Sequence, residues 1–189
     1  MFILYSVLIG LLVGFLVGGR LAGLAEIHLR WSWVILGGLF VQVVLFSDPV
    51  SERIGALGPL IYVASTALVI GAIVANRAIP GMLFVAAGAA SNLAAILANG
   101  GYMPADPGAI ASLGKAHPTI YSNSAILPHP VLGPLTDLFA LPTWVPFANV
   151  FSLGDVVIGI GIAVVIVTAM RAELPGSRPS ATGTPPVSA

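Results

Sequence analysis

The alternation of apolar and polar stretches divides the chain into five long apolar runs with short polar or proline-marked breaks between them. Residues 2–19 carry no charge and end at Arg20. Residues 31–47 follow, with Trp31 and Trp33 at one end and Asp48-Pro49 at the other. Residues 57–75 and 80–98 form the third and fourth runs, parted by Asn76-Arg77. Pro80 suits a first helical turn, because the N–H that proline lacks has no partner there anyway. The fifth run, 153–170, has Asp155 near its start and an uncharged core from Val156 to Met170. A helix needs about 20 mainly apolar residues to cross about 30 Å of hydrocarbon, so each run predicts a transmembrane helix. A cleaved signal is not expected of the first run, since signals open on a positive segment and this one opens MFILYSVLIG, with its first cation behind it.

Between the fourth and fifth runs, residues 99–152 contain Ile126, Leu127, Phe139, Trp144 and Phe151 but also Pro118, Pro128, Pro130, Pro134, Pro142 and Pro146. That proline density forbids a continuous spanning helix. The segment is expected to form an ordered outer cap. Leu138, Phe139, Leu141, Trp144, Phe147 and Phe151 should then pack onto the outer ends of helices three to five. After residue 173 the chain is rich in Pro, Ser and Thr, and 174–189 is predicted to be disordered. Residues 1–173 thus read as one integral membrane domain. Its fold class is an all-α bundle of about five transmembrane helices with a long ordered extracytoplasmic loop between helices four and five.

Composition agrees: the chain is 58% hydrophobic and 7% charged, where a soluble domain carries about a quarter charged residues. Seven basic and seven acidic side chains leave no net charge to attract nucleic acid. Without cysteine there is no disulfide, thiolate metal site or thiol nucleophile. Arg20, Arg30, Arg77, Arg171 and Arg178 fall on one side of the predicted bundle, against Arg53 and Lys115 on the other. The positive-inside rule then puts the N-terminus outside and the C-terminus in the cytoplasm of a multi-pass plasma-membrane protein. The first cytoplasmic connection, RLAGLAEIHLR, spaces Leu21, Leu24 and His28 about one turn apart, which predicts a short helix lying in the interface.

Small residues recur at spacing four: Gly10, Gly14 and Gly18; Ala67, Gly71 and Ala75; Ala86, Ala90, Ala94 and Ala98. Helices in lipid approach closely through such faces, so intramolecular packing is favoured over a dedicated dimer face. Ser152-Leu-Gly-Asp155 reads as a capping box, with a proton or ion site as the alternative. Asn99-Gly100-Gly101 looks like a helix C-cap, and Asp106-Pro107 like the start of a short helix ending near Gly114. Asn92 lies mid-helix, where an amide needs partners; Gln42, Ser65, Thr66 and Ser91 are at hand, and a ligand-binding amide is the alternative. His117 and His129 each precede proline and lack a third ligand at metal spacing, so no metal is expected. No catalytic or cofactor motif is present.

NGGYMP (99–104), LTDLFALP (135–142), FSLGD (151–155) and GGRLAGL (18–24) together resemble a family of small bacterial membrane proteins catalogued as domain of unknown function 5317. The resemblance implies a bacterial plasma-membrane location and the same helix pattern, and carries no activity, cofactor or catalytic residue. Three functional readings follow. The leading one is a non-enzymatic bundle that binds or passes a small apolar or amphipathic ligand, with Asn92, Asn99, Asp137 and Asp155 as candidate ligand-binding residues. Of these, Asn99, Asp137 and Asp155 are expected around the mouth of one cleft. Second is a structural or assembly subunit with a protein partner in the membrane. Third is a membrane-embedded enzyme using Asp155, Asp137 or a cap histidine.

Overall fold

The computed structural model describes residues 2–114 and 124–172. The chain is mostly helical, with eight helices among those residues. Each apolar run carries one long helix: α1 (Phe2–Leu16), α3 (Ser32–Leu45), α5 (Leu57–Ala75), α6 (Met82–Ala98) and α8 (Leu153–Arg171). Short helices α2 (Ala22–Ala25), α4 (Asp48–Ser51) and α7 (Pro107–Ser112) lie in the connections. At 19 residues each, α5 and α8 are long and apolar enough to cross a membrane. α1, α3 and α6 are equally apolar in character but shorter, at 15, 14 and 17 residues. The tail 174–189, Lys115, His117 and Pro118 lie outside the described residues.

The long helices pack in an order different from that of the chain. α3 packs on α5, α5 on α6, α6 on α8, and α8 on α1. The last helix therefore stands between the first and the fourth. Glycines make both of its contacts close. Along the α6–α8 seam, a Cβ built on Gly88 would meet the Gly154 carbonyl at 2.4 Å, and one on Gly161 would meet the Gly81 carbonyl at 2.8 Å. Along the α1–α8 seam, Gly10 faces Ala163 and Ile166, Gly14 faces Met170, and Gly159 faces Ser6.

Of the small-residue stripes, Gly10, Gly14 and Ala86 pack within the bundle as expected. Gly18 has left the helix with φ +79° and nothing near it. Ala67 and Gly71 are exposed, as are Ala90, Ala94 and Ala98, while Ala86 alone of its stripe is buried. The reason is geometric: at 3.6 residues per turn a row of spacing four drifts around the helix, and α6 meets α8 through Gly81, Val85, Gly88 and Asn92 instead.

Within the connection 17–31 the helix is one short turn, Ala22–Ala25, and does not extend to His28. The connection crosses the end of the helix row from α1 to α3. The Arg20 N–H donates to the Met170 carbonyl at 2.7 Å, and Gly23 lies against Ala169. Ile27 and Leu29 pack on the core of Ile73, Met82, Ala86 and Val165. Asn76 then fixes its far end: the buried amide accepts from the Arg30 N–H and donates to the Arg30 and Ala72 carbonyls, each at 2.8 Å.

The cap segment after α6 contains the strands β1 (Met103–Pro104), β2 (Ser124–Ala125), β3 (Phe139–Ala140) and β4 (Val150–Phe151). β1 pairs parallel with β2, β3 antiparallel with β4, and Ala105 bridges to Asp137. The cap is seated on the ends of α6 and α8 through β1 and the 3₁₀ turn Gly133–Leu135. The residues that seat it differ from those expected. Met103 is buried with Ala95 and Ile96 against Tyr62, Val63 and Leu135. Leu138, Phe139, Trp144 and Phe147 are exposed instead.

Candidate functional site

Asn92, Ser152 and Asp155 meet where the cap runs into α8, with Asp137 nearby. Ser152 has extended backbone (φ −103°, ψ 171°), and its hydroxyl accepts from the Asp155 N–H at 3.0 Å. The Asp155 carboxylate reaches back to the Ser152 N–H at 3.1 Å. This reciprocal capping box satisfies two of the helix's first N–H groups and puts a negative charge at the positive end of the helix dipole.

Asn92 of α6 closes the network. Its amide N–H donates to Asp155 Oδ1 at 2.8 Å, and its carbonyl oxygen accepts from the Ser152 hydroxyl at 2.8 Å. Gly154 makes the room, for a Cβ built there would overlap the Asn92 side-chain oxygen. Three of the four expected partners of Asn92, Gln42, Ser65 and Thr66, bond among themselves: the Gln42 amide donates to Thr66 at 3.1 Å and to Ser65 at 3.4 Å.

Asp137 approaches from the cap side. Its N–H donates to the Pro104 carbonyl and its carbonyl accepts from the Asp106 N–H, both at 2.9 Å, so its backbone is fixed. The side chain is 6% exposed. One carboxyl oxygen, Oδ2, accepts from the Ser124 hydroxyl at 3.3 Å; the other has no hydrogen-bond partner among the described residues. Burial, and secondarily the negative Asp155 nearby, push the Asp137 carboxyl up from 3.8 to about 7, with the Ser124 bond opposing. No described basic residue forms an ion pair with either carboxylate.

Asn99 goes elsewhere. It ends α6, followed by Gly100 (φ +73°) and Gly101 (φ +92°), whose N–H returns to the Ile96 carbonyl at 2.8 Å. Its amide exchanges two bonds of 2.8 Å with the backbone of Val131 and a third with the Ala95 carbonyl at 2.7 Å. Seven residues separate it from Asn92, about 10 Å of helix rise. The structure therefore groups Asn92 and Asp155 by direct bonds, adds Asp137 within electrostatic reach, and spends Asn99 on clamping the cap. A cavity of about 340 Å³ lies apart from all four, lined by Leu113 and residues 143–148.

Ser152, fully buried, and Ser124 complete the group without having been singled out as ligand-facing. The sequence signal for the seam beneath was the matched spacing of seven in Gly81/Gly88 and Gly154/Gly161. Chemically the group can hold one proton near neutrality and offers a buried carboxyl oxygen to a donor. No cluster of three or more His, Cys, Asp or Glu side chains among the described residues could hold a metal.

No curated protein and no solved structure matches the chain. A family model does match, over residues 26–167, which include Asn92, Asn99, Asp137, Asp155 and the glycines of the α6–α8 seam but not the GGRLAGL stretch. By that match over most of its length, the chain belongs to the family of unknown function DUF5317.

Proposed function

We propose that this chain is a non-enzymatic, multi-pass plasma-membrane protein that binds or passes a small amphipathic ligand at the junction of its outer cap with α6 and α8. The single observation that carries the ligand reading is Asp137: a buried carboxyl with one oxygen lacking a hydrogen-bond partner among the described residues, beside Asp155 and its Asn92 and Ser152 partners. Buried polar groups are nearly always satisfied, so an open acceptor beside an organised polar cluster suits a ligand's hydroxyl or ammonium group. The ligand's apolar part would lie along the exposed faces of the helices.

Five membrane crossings are supported by those faces. Leu8, Leu12 and Leu16 of α1, Leu36, Phe40 and Val43 of α3, Leu60 and Leu68 of α5, Leu83 and Phe84 of α6, and Leu153 and Ile160 of α8 are all exposed. Water-soluble monomers rarely expose contiguous apolar patches beyond a few hundred Å². An N-terminus outside and a C-terminus in the cytoplasm are supported by the arginines: the contacts of Arg20 with Met170 and of Arg30 with Asn76 gather the basic connections at one end of the row.

The test combines topology with ligand retention. A reporter fused after Met170 should be active in the cytoplasm, and one inserted near Gly108 outside; the reverse at both sites refutes the orientation. Native mass spectrometry of the full chain in mild detergent should show a bound small molecule that Asp137→Asn releases while the fold persists. Retention of that molecule by the variant would sink the site.

A second reading, an assembly subunit, is favoured by α5. Ala64, Ala67 and Gly71 form an exposed face on it, with nothing within 4 Å of a Cβ built at Gly71. Helix partners in lipid use such faces. Stable co-purification of a partner that Gly71→Leu releases would establish it.

A further inference from the structure

We propose that residues 142–148 form an interfacial anchor, a loop whose Trp144 inserts into the lipid headgroup layer on the outer side. This rests on the multi-pass reading above. The loop is the tip of the β3–β4 hairpin, closed at its base by the Leu141 N–H to the Asn149 carbonyl at 3.0 Å. Within it, Val145 N–H bonds back to Pro142 and Ala148 N–H to Val145, so the tip is a pair of consecutive turns rather than a slack loop. Inside the second turn Phe147 takes a left-handed φ of +56°, a conformation a bulky residue adopts only when its surroundings impose it.

Two contacts set the height of this tip against α1. The Phe151 ring stacks on Phe2 with centroids 4.4 Å apart. The Tyr5 hydroxyl donates to the Pro146 carbonyl. Tyr5 lies three residues inside the helix from Phe2, about 4–5 Å of rise, so the loop hangs beside the first turn of α1 instead of standing above it. At that level Trp144 is 83% exposed and Phe147 69% exposed. The exposed apolar residues Leu4, Leu8 and Leu12 of α1 carry the surface on from there.

The occupant that fits is lipid rather than protein. Residues 138–154 contain no Asp, Glu, Lys, Arg or His, so seating the tip desolvates no charge. An indole has an apolar body and one N–H, which suits the boundary between acyl chains and headgroups. Trp31 and Trp33, at the start of α3, would mark the opposite interface, since that end joins the connection fixed by Asn76.

The full chain carrying Trp31→Phe and Trp33→Phe keeps Trp144 as its one tryptophan. Reconstituted into phosphatidylcholine vesicles, it should show blue-shifted emission, quenched more by lipid brominated near the headgroup end of the acyl chain than by aqueous iodide. Emission at the fully hydrated wavelength with strong iodide quenching would overturn the anchor. Shielding from both quenchers that disappears on dilution with lipid would also overturn it, in favour of contact with a second copy. A companion variant, with all three tryptophans replaced by phenylalanine and Leu68→Trp added, separates the two claims. If Trp at 68 in mid-α5 is not quenched by deeply brominated lipid, the multi-pass reading itself fails; if it is quenched while Trp144 is not, the anchor alone does.

Discussion

Replacing Asn92 with leucine removes one side chain and undoes a direct polar link between α6 and the start of α8. Two bonds of 2.8 Å are lost. The first goes to a carboxylate, and a hydrogen bond to a charged group contributes about 1.5–3 kcal/mol. The second leaves the fully buried Ser152 hydroxyl still able to accept from Asp155 but with its own donor unsatisfied. Intramembrane polar pairs measure about 0.6 kcal/mol on average and up to about 1.7, because the unfolded chain in a membrane also finds partners. With Asn92 half-buried, the expected loss is about 2 kcal/mol in all, larger than for Gln42→Leu, whose two bonds are longer and end on hydroxyls. The assay is denaturant unfolding of the full chain in mild detergent, run as a double-mutant cycle with Asp155→Asn. A coupling near zero, or a loss no greater than that of Gln42→Leu, would refute the claim that Asn92 and Asp155 act as a unit.

The Asp137 carboxyl predicts a pH dependence with a definite sign. Because its folded value of about 7 lies above the ordinary 3.8, the folded chain holds a proton the unfolded chain releases, and stability should fall as pH rises from about 4 to about 7, by at most about 4 kcal/mol. Asp137→Asn should flatten that window, and an unchanged slope in the variant would show the dependence comes from elsewhere. At the seam below, Gly88→Ala puts a Cβ 2.4 Å from a backbone oxygen and should destabilise by about 1–3 kcal/mol. Gly71→Ala meets nothing and should be neutral or stabilise by up to about 1 kcal/mol, so equal effects at the two sites in the same unfolding assay would contradict the packing order.

What the sequence revealed of this site was its local part. Ser152 and Asp155 are three residues apart, and Asp106 caps the Ala109 N–H at 2.8 Å over the same distance, so both motifs could be read without knowing what lies across from them. Asn99-Gly100-Gly101 closed its helix for the same reason. The partners of Asn92 stand 60 and 63 residues away, and choosing them required knowing that α8 sits against α6. Gln42, Ser65 and Thr66 were equally credible by composition, but they face one another across α3 and α5. Asn76 shows the same limit from the opposite side. It sits in a short polar turn, where an amide usually meets water, yet it is 4% exposed because the first connection folds over it and leaves Arg30 backbone groups to be satisfied. The exposed Trp144 and Phe147 erred in the other direction: counting apolar residues says they need cover, and only the fold says that the cover is not the helix ends.

The packing order explains why the polar group lies where it does. α1 has its main helix partner in α8, the last helix of the chain, and α6 meets the same helix on another face. Gly159 serves the first contact, Gly154 and Gly161 the second. α8 is thus in close contact on two faces, which leaves little room for long side chains around its first turn. Its N-terminal groups are satisfied instead by short ones: the Ser152 hydroxyl, the Asp155 carboxylate and, from across the Gly154 gap, the Asn92 amide. The cap is continuous with that first turn through β4, and it lowers Asp137 toward the same carboxylate. The negative Asp155 helps raise the Asp137 carboxyl, and Asp155 is itself bonded to Asn92 on the α6–α8 seam. At this place the cap and the helix row meet through two acidic side chains, with no described cation to separate them.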